Sequence, residues 1–236
     1  MRPFLTAVLF ALLAITPAHA GSMDEKALEL KNVVVGSVYA SKTMDTSSIE
    51  GLTAVINIIA QKDKLALEPI IEGLRTSFFA TYPAALPFPI MAEAEVLATP
   101  GFSTIATSEA ATVASGYPYI GVLLSGPAIK KGFGLVPAAD GMIVLQAVYA
   151  MQSTVKDVAG TARANITCSY WLKLFDRDAK ALYGKMVTGE STGELNMSKG
   201  FVVDFTNILA LAQEATLAAD AKLLAAIATD VGKARK

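Results

Sequence analysis

The pattern of hydrophobic residues predicts an α+β fold, in which amphipathic helices and a long C-terminal helix pack on a mixed, α/β-like β-sheet. Three observations predict it. A β-branched run lies near residue 35, three strand-like segments follow one another between residues 142 and 189, and one helical pattern extends over residues 199–234. The elements thus follow in the order strand, helices, strands and a closing helix. This order is expected of an α+β domain with mixed strand directions.

The chain begins with a segment typical of a secretory signal peptide, residues 1–20. A positively charged start and an apolar run over residues 4–15 precede Ala18 and Ala20, which form an Ala-x-Ala cleavage pattern. We expect cleavage after Ala20. The mature chain, residues 21–236, is then expected to be a single α+β domain located in the periplasm.

The first elements expected in the mature chain are a strand and two helices. Residues 31–39 are rich in valine, which suits a buried strand. Residues 47–50 match a capping box, so a helix is predicted from Ser48 towards Gln61. Apolar residues at spacings of three and four predict a second helix over Leu65–Tyr82, with Pro69 in its first turn.

The middle of the chain is less regular. We expect Pro83 to end the second helix and a half-exposed strand to begin at Ile90, where small and acidic residues alternate. Glycines and prolines then make residues 99–137 an irregular insertion. Within it we expect a short helix near Glu109–Ser115 and a strand at Tyr117–Leu124.

The second half is clearer. Strands are predicted at Met142–Gln152, Ala164–Phe175 and Ala181–Gly189, and a short polar turn makes the last two a hairpin. A helix is predicted over Lys199–Ala234, where many alanines allow close approach to the sheet.

Charge and composition exclude several classes of function. The chain has 20 Lys and Arg against 21 Asp and Glu, a net charge of −1, and no basic block that would attract nucleic acid. Loss of the signal peptide removes the only histidine, His19, and with it every His-based nucleophile, general base and metal site. No later apolar run reaches about 18 residues, so no transmembrane helix is expected.

The single cysteine, Cys168, cannot form an internal disulfide. It shares one face of a predicted strand with Ile166, Tyr170 and Leu172. A free cysteine on an apolar face behaves as a small hydrophobic residue. We expect Cys168 to be buried and inert; the alternative is a reactive thiol or an intermolecular disulfide.

Three patterns could carry chemistry, and each has a simpler structural explanation. Lys131–Leu135 is an incomplete dinucleotide-binding motif, which we expect to be a mobile surface loop. Asp176 and Asp178 could bind a cation, but turn chemistry explains both. Glu93 and Glu95 could form an acid–base pair, but on a half-exposed strand they would be solvated. We predict no catalytic residue, no cofactor and no metal site.

The best candidate for a contact surface is the region rich in Gly, Pro and aromatic residues at 102–135, since apolar residues on irregular backbone often line a pocket or contact patch. The alternative is that these side chains complete the core. The candidate contact residues are Tyr117, Tyr119, Leu123, Leu124 and Phe133.

Four segments together resemble small domains of the bacterial envelope: Val33–Val38, Ala139–Val144, Thr167–Lys180 and the Ala-rich final helix. Their order is similar to that of the curli-pore lipoprotein family, the N-terminal domain of the Tol-Pal protein TolB, and penicillin-binding-protein activator lipoproteins. Where those families usually have Thr-Gly in the hairpin turn, this chain has Ala179-Lys180.

The resemblance implies a non-enzymatic adaptor or assembly component of the cell envelope that docks on other envelope proteins or self-associates. A hydrophobic content of 53% leaves a second possibility, a periplasmic carrier of a lipid or another small apolar ligand. A third possibility is an enzyme that uses only carboxylates, Lys, Tyr or Ser. No residue spacing favours this possibility.

Overall fold

The computed structural model describes residues 23–41, 44–45, 67–101, 112–114, 126–156, 162–197 and 207–236. It confirms the α+β class, with a mixed β-sheet and a long C-terminal helix. The strands are β1 (Val33–Ser41), β2 (Thr112–Ala114), β3 (Gly141–Lys156), β4 (Ala162–Asp176), β5 (Ala181–Glu190) and β6 (Leu195–Met197). The helices are α1 (Glu68–Ala85), α2 (Glu93–Leu97), α3 (Gly126–Leu135) and α4 (Ile208–Ala234), and a 3₁₀ helix covers Glu25–Glu29.

The strand order in the sheet is β2-β1-β3-β4-β5, and β6 pairs with part of β4. β1 and β3 run parallel, with Val33 opposite Gly141, while the other pairs are antiparallel. Parallel neighbours need a crossover connection, and α1 lies in the segment that links β1 to β3. That crossover brings α1 against β1, β2 and α4.

The core lies between the sheet and the two long helices. Successive side chains of a strand point to opposite faces, and the buried set on β4 follows that alternation, with Ile166, Cys168, Tyr170 and Leu172 each at most 1% exposed. The burial of Cys168 is therefore confirmed. On α1, the buried Ile71, Leu74, Phe78 and Tyr82 recur at spacings of three and four.

The backbone of helix α4 packs very close to the backbone of strand β5. A Cβ atom added to Gly189 of β5 would overlap the backbone of Ala215 and Ala219. Both alanines are fully buried, as is Ala212 one turn earlier. The expectation that an alanine-rich helix allows close approach is met at this point, where glycine on the strand faces alanines on the helix.

Two aspartates hold strand ends by bonding backbone N–H groups. The two carboxylate oxygens of Asp140 accept from Lys31 N and Asn32 N, both at 2.9 Å, which fixes the start of β1 beside the start of β3. Asp176 Oδ1 accepts from Asp178 N (3.0 Å) and Lys180 N (2.8 Å) in the β4–β5 turn. Turn chemistry therefore accounts for Asp176, and the predicted hairpin is confirmed.

The prediction of a strand from Ile90 is wrong. Residue 90 makes only a single bridge to Val33, and the chain then turns into α2. Ala92 O accepts from Glu95 N and Val96 N, so the first turn of this helix closes at once. Alanine and glutamate are strong helix formers, and here that preference outweighs their alternating pattern.

Three further expectations need correction. Lys131–Leu135 is the end of helix α3 and not a surface loop, with Gly132 and Phe133 buried. Residues 112–114 form β2, antiparallel to β1, where the sequence predicted a helix. α1 is confirmed, but Pro83 lies inside its last turn instead of ending it.

Other expectations lie outside the described residues. These are the signal peptide, the helix at Ser48–Gln61, the strand at Tyr117–Leu124 and the start, residues 199–206, of the predicted C-terminal helix. Within the described ranges, no helix combines the length and apolar character that crossing a bilayer requires.

Replacing Gly189 by alanine tests the close approach of α4. We expect Gly189→Ala to lower the free energy of unfolding by about 1–3 kcal/mol, because overpacking forces the helix away from the strand. Urea unfolding followed by circular dichroism measures the change. The matched control is Gly184→Ala on the same strand, where a Cβ meets nothing within 4 Å. Equal stability of the two variants would contradict the contact.

Candidate functional site

A groove lies between α1 and α4. It has a volume of about 200 Å³ and is called the α1–α4 groove below. Residues from both helices line it: Pro69, Ile70, Gly73, Leu74 and Ser77 from α1, and Gln213, Thr216, Leu217 and Asp220 from α4. The groove thus combines apolar walls with four oxygen-bearing side chains, those of Ser77, Gln213, Thr216 and Asp220.

Asp220 is the central residue of this groove. Its side chain is 7% exposed, and its two oxygens accept hydrogen bonds from different residues of α1. The Tyr82 hydroxyl donates to Oδ1 (2.6 Å) and the Ser77 hydroxyl donates to Oδ2 (2.9 Å). Burying a carboxylate is costly unless its oxygens are bonded, so these two donors join α1 to α4.

Tyr82 is held in place by its own helix. Its ring stacks on Phe78, one turn earlier, with centroids 4.6 Å apart. Burial and the neighbouring Asp220 carboxylate both raise the pKa of the Tyr82 hydroxyl, with burial the larger cause. The hydroxyl therefore remains protonated at neutral pH and acts as a hydrogen-bond donor.

A second hydroxyl contact joins α4 to the sheet. The Thr216 hydroxyl donates to Ala212 O (2.7 Å) and lies 2.8 Å from the Tyr149 hydroxyl of β3. Because the Thr216 proton is used on its own helix, Tyr149 is the donor of the second bond. Cys168 is paired with Tyr149 across the β3–β4 ladder, and burial raises the pKa of its thiol to about 11.

A second buried carboxylate, Asp230, lies ten residues further along α4. It is 2% exposed and accepts at Oδ2 from the Tyr183 hydroxyl (3.0 Å) and from Lys185 Nζ (2.8 Å), both on β5. The two carboxylates differ in one respect. Asp230 has a cation as partner, whereas the partners of Asp220 within the described part of the chain are both neutral hydroxyls.

Of the residues predicted from sequence as a contact surface, Phe133 is the one that the structure describes, and it does not line this groove. Phe133 is 5% exposed and belongs to the core, so its side chain completes the interior instead of presenting a surface. The other four, Tyr117, Tyr119, Leu123 and Leu124, lie outside the described residues.

The two glutamates weighed as an acid–base pair do not converge. Glu93 forms an ion pair with Arg75 of α1, which also pairs with Glu72, while Glu95 is exposed on α2. The bond to Glu72 is the main cause that raises the pKa of the Arg75 guanidinium. In the described ranges, no group of three or more His, Cys, Asp or Glu side chains could hold a metal ion.

The sequence reasoning missed the groove, although one signal was present. Thr216 and Asp220 are four residues apart, so they share a helix face, and that face is the apolar stripe that continues to Leu223 and Ile227. A charged residue within an apolar helical stripe indicates a buried carboxylate with a specific partner. The partners Ser77 and Tyr82 could not be read from the pattern, because they lie about 140 residues away.

Comparisons with known proteins give little further information. No protein-family model matches the chain, and no curated protein is significantly similar to it. Among solved structures, the chain is similar to the hypothetical protein CT253 from Chlamydia trachomatis, determined at 1.65 Å resolution. The identity is 10% and the TM-score 0.34, over 84% of this chain and 98% of that chain. A similarity of this size supports no statement about function.

Loss of the Tyr82 hydroxyl tests the link between α1 and α4. We expect Tyr82→Phe to lower the free energy of unfolding by about 1.5–3 kcal/mol, because a hydrogen bond to a buried charge is lost. The control is Thr81→Ala on the same helix, which removes an exposed hydroxyl bonded to Ser77 O of that helix (2.7 Å) and introduces a better helix former. That change should cost nothing or stabilise slightly. Urea titrations of both variants measure the difference, and equal losses would contradict the assignment.

Reactivity of Cys168 tests its burial. With a pKa of about 11, about one thiol in a thousand is ionised at pH 8, and the sulfur is shielded from solvent. We expect the folded protein to react negligibly with a chromogenic disulfide reagent such as DTNB over an hour. Complete reaction is expected in 6 M guanidinium. Rapid, stoichiometric labelling of the folded protein would support the reactive-thiol alternative instead.

Proposed function

We propose that this protein is a non-enzymatic adaptor or assembly component of the bacterial cell envelope, and that it binds a partner polypeptide through the α1–α4 groove. The observation that carries this proposal is the position of Leu217. Its side chain is 61% exposed, and it lies on the groove beside Ile70 and Leu74. One exposed leucine is ordinary on a protein surface, but here it continues an apolar wall.

Covering this leucine would favour association. Complete burial of a leucine side chain contributes about 1.5–3 kcal/mol relative to leaving it in water. A partner segment seated between α1 and α4 would cover Leu217 and the apolar walls together. The groove therefore offers a small apolar pocket in which an anchoring side chain of the partner would be buried.

The polar groups of the groove support binding more than chemistry. Asp220 uses one lone pair of each oxygen to join two helices, and Thr216 is bonded to Ala212 and Tyr149. Cys168 lies beneath them as a buried thiol with a raised pKa. An activated nucleophile needs an accessible atom and an adjacent base, and these residues do not provide that arrangement.

Support for the envelope comes from the sequence. The signal-peptide pattern of residues 1–20 directs export, and the order of strand and helix segments resembles adaptor domains of the bacterial envelope. The competing role, carriage of an apolar ligand or lipid, has less support from this groove. Ligand pockets usually enclose about 300–1,000 Å³, and this groove has a volume of about 200 Å³.

Site-specific photo-crosslinking in the native cell tests the proposal. With p-benzoylphenylalanine at Leu217, we expect a crosslink to one envelope protein, identified by mass spectrometry. The control position is Ala225, exposed on the same helix about 12 Å further along and outside the groove. Fractionation of the same cells should recover the protein from the periplasm, beginning at Gly21.

A groove-blocking variant makes the test specific. A Cβ at Gly73 meets nothing within 4 Å, so Gly73→Leu can fill the groove without disturbing the bonds of Asp220. We expect it to abolish the Leu217 crosslink while the protein stays folded. Identical crosslinks from both positions, or a crosslink that survives Gly73→Leu, would contradict binding through the groove.

A further inference from the structure

We propose that the α1–α4 groove recognises a cationic side chain, a lysine or arginine of the partner polypeptide, with the Asp220 carboxylate as its counter-ion. This inference rests on the proposed function for the nature of the partner. It adds the chemistry by which that partner is selected.

The first argument is that no cation among the described residues is paired with the Asp220 carboxylate. None of the ion pairs between described residues includes Asp220, and its two partners, Ser77 and Tyr82, are neutral. Buried charges in proteins are usually paired, and Asp230 on the same helix follows that rule through Lys185. Asp220 is the exception, and it is the carboxylate that lines an open groove.

The second argument is the number of free acceptor positions. An ionised carboxylate can accept about four hydrogen bonds, and Asp220 accepts two in this structure. One position on each oxygen therefore remains for an incoming N–H donor. An ammonium or guanidinium group supplies such donors together with the missing positive charge.

The third argument is the match between the groove and a long basic side chain. Lysine and arginine place their methylene stems on apolar surface and their charged heads on polar groups. Ile70, Leu74 and Leu217 provide that apolar surface, and Asp220 provides the polar end. The other eight lining residues are uncharged, so nothing in the groove wall repels a cation.

Binding of lysine-like fragments tests the inference directly. The probes are n-butylammonium, which is the lysine side chain without its backbone, and 1-butanol as the neutral analogue. Methyl-labelled protein is titrated with each, and the NMR shifts of Ile70, Leu74 and Leu217 report occupancy. We expect n-butylammonium to bind at least about tenfold more tightly, which corresponds to 1.4 kcal/mol.

Two variants assign the preference to Asp220. Asp220→Asn keeps an oxygen acceptor and removes the charge, so we expect the preference for the amine to disappear. Asp178→Asn is the matched control, because it removes one negative charge from the exposed β4–β5 turn and should leave the preference intact. If Asp220→Asn does not fold, Gly73→Leu serves instead, and it should prevent both probes from binding.

The outcomes separate this inference from the proposed function. Equal affinity for the two probes, or no shift of the groove methyl groups with the amine, would overturn the cation site. In that case a crosslink at Leu217 that depends on Gly73 would still support the adaptor role. A tenfold preference that survives Asp220→Asn would also overturn the assignment, because the charge would then lie elsewhere.

Discussion

The close packing of α4 on the sheet is the constraint on which the rest of the described structure depends. Gly189 faces the backbone of Ala215 and Ala219, which leaves no room for a side chain between strand and helix. At this separation, the short side chain of Thr216 reaches the Tyr149 hydroxyl of β3. Asp220, one turn further along the same helix, accepts hydrogen bonds from Ser77 and Tyr82 of α1.

Two buried carboxylates then fix α4 along its length. Asp220 bonds to α1 and Asp230 bonds to β5, so one helix is held to two different elements. Buried polar groups are costly when unsatisfied and tolerate few arrangements when satisfied. They therefore select one position for α4 that an alanine-rich surface alone would specify weakly. No described cation neutralises Asp220, and this is the feature on which the proposed recognition of a basic partner side chain rests.

The groove is a consequence of small residues at the boundary between two helices. Gly73 leaves space on α1, and Ser77 and Thr216 are short, so the helices do not close over the Asp220 carboxylate. Its volume suits one side chain and not a whole lipid. A contact of that size is compatible with the selective, modest binding proposed for this groove, and the buried Cys168 belongs to the core.

By itself, the sequence determined the fold class, the hairpin of β4 and β5, and helices α1 and α4, because each follows from a local pattern of apolar spacing or turn residues. The local pattern gave a wrong prediction at α2. Alanine and glutamate alternate there as in a strand, but the segment forms a helix. The α1–α4 groove could be recognised only from the tertiary structure. Asp220 meets Ser77 and Tyr82 across 143 and 138 positions of sequence, and contacts between distant elements depend on crossover and packing distance.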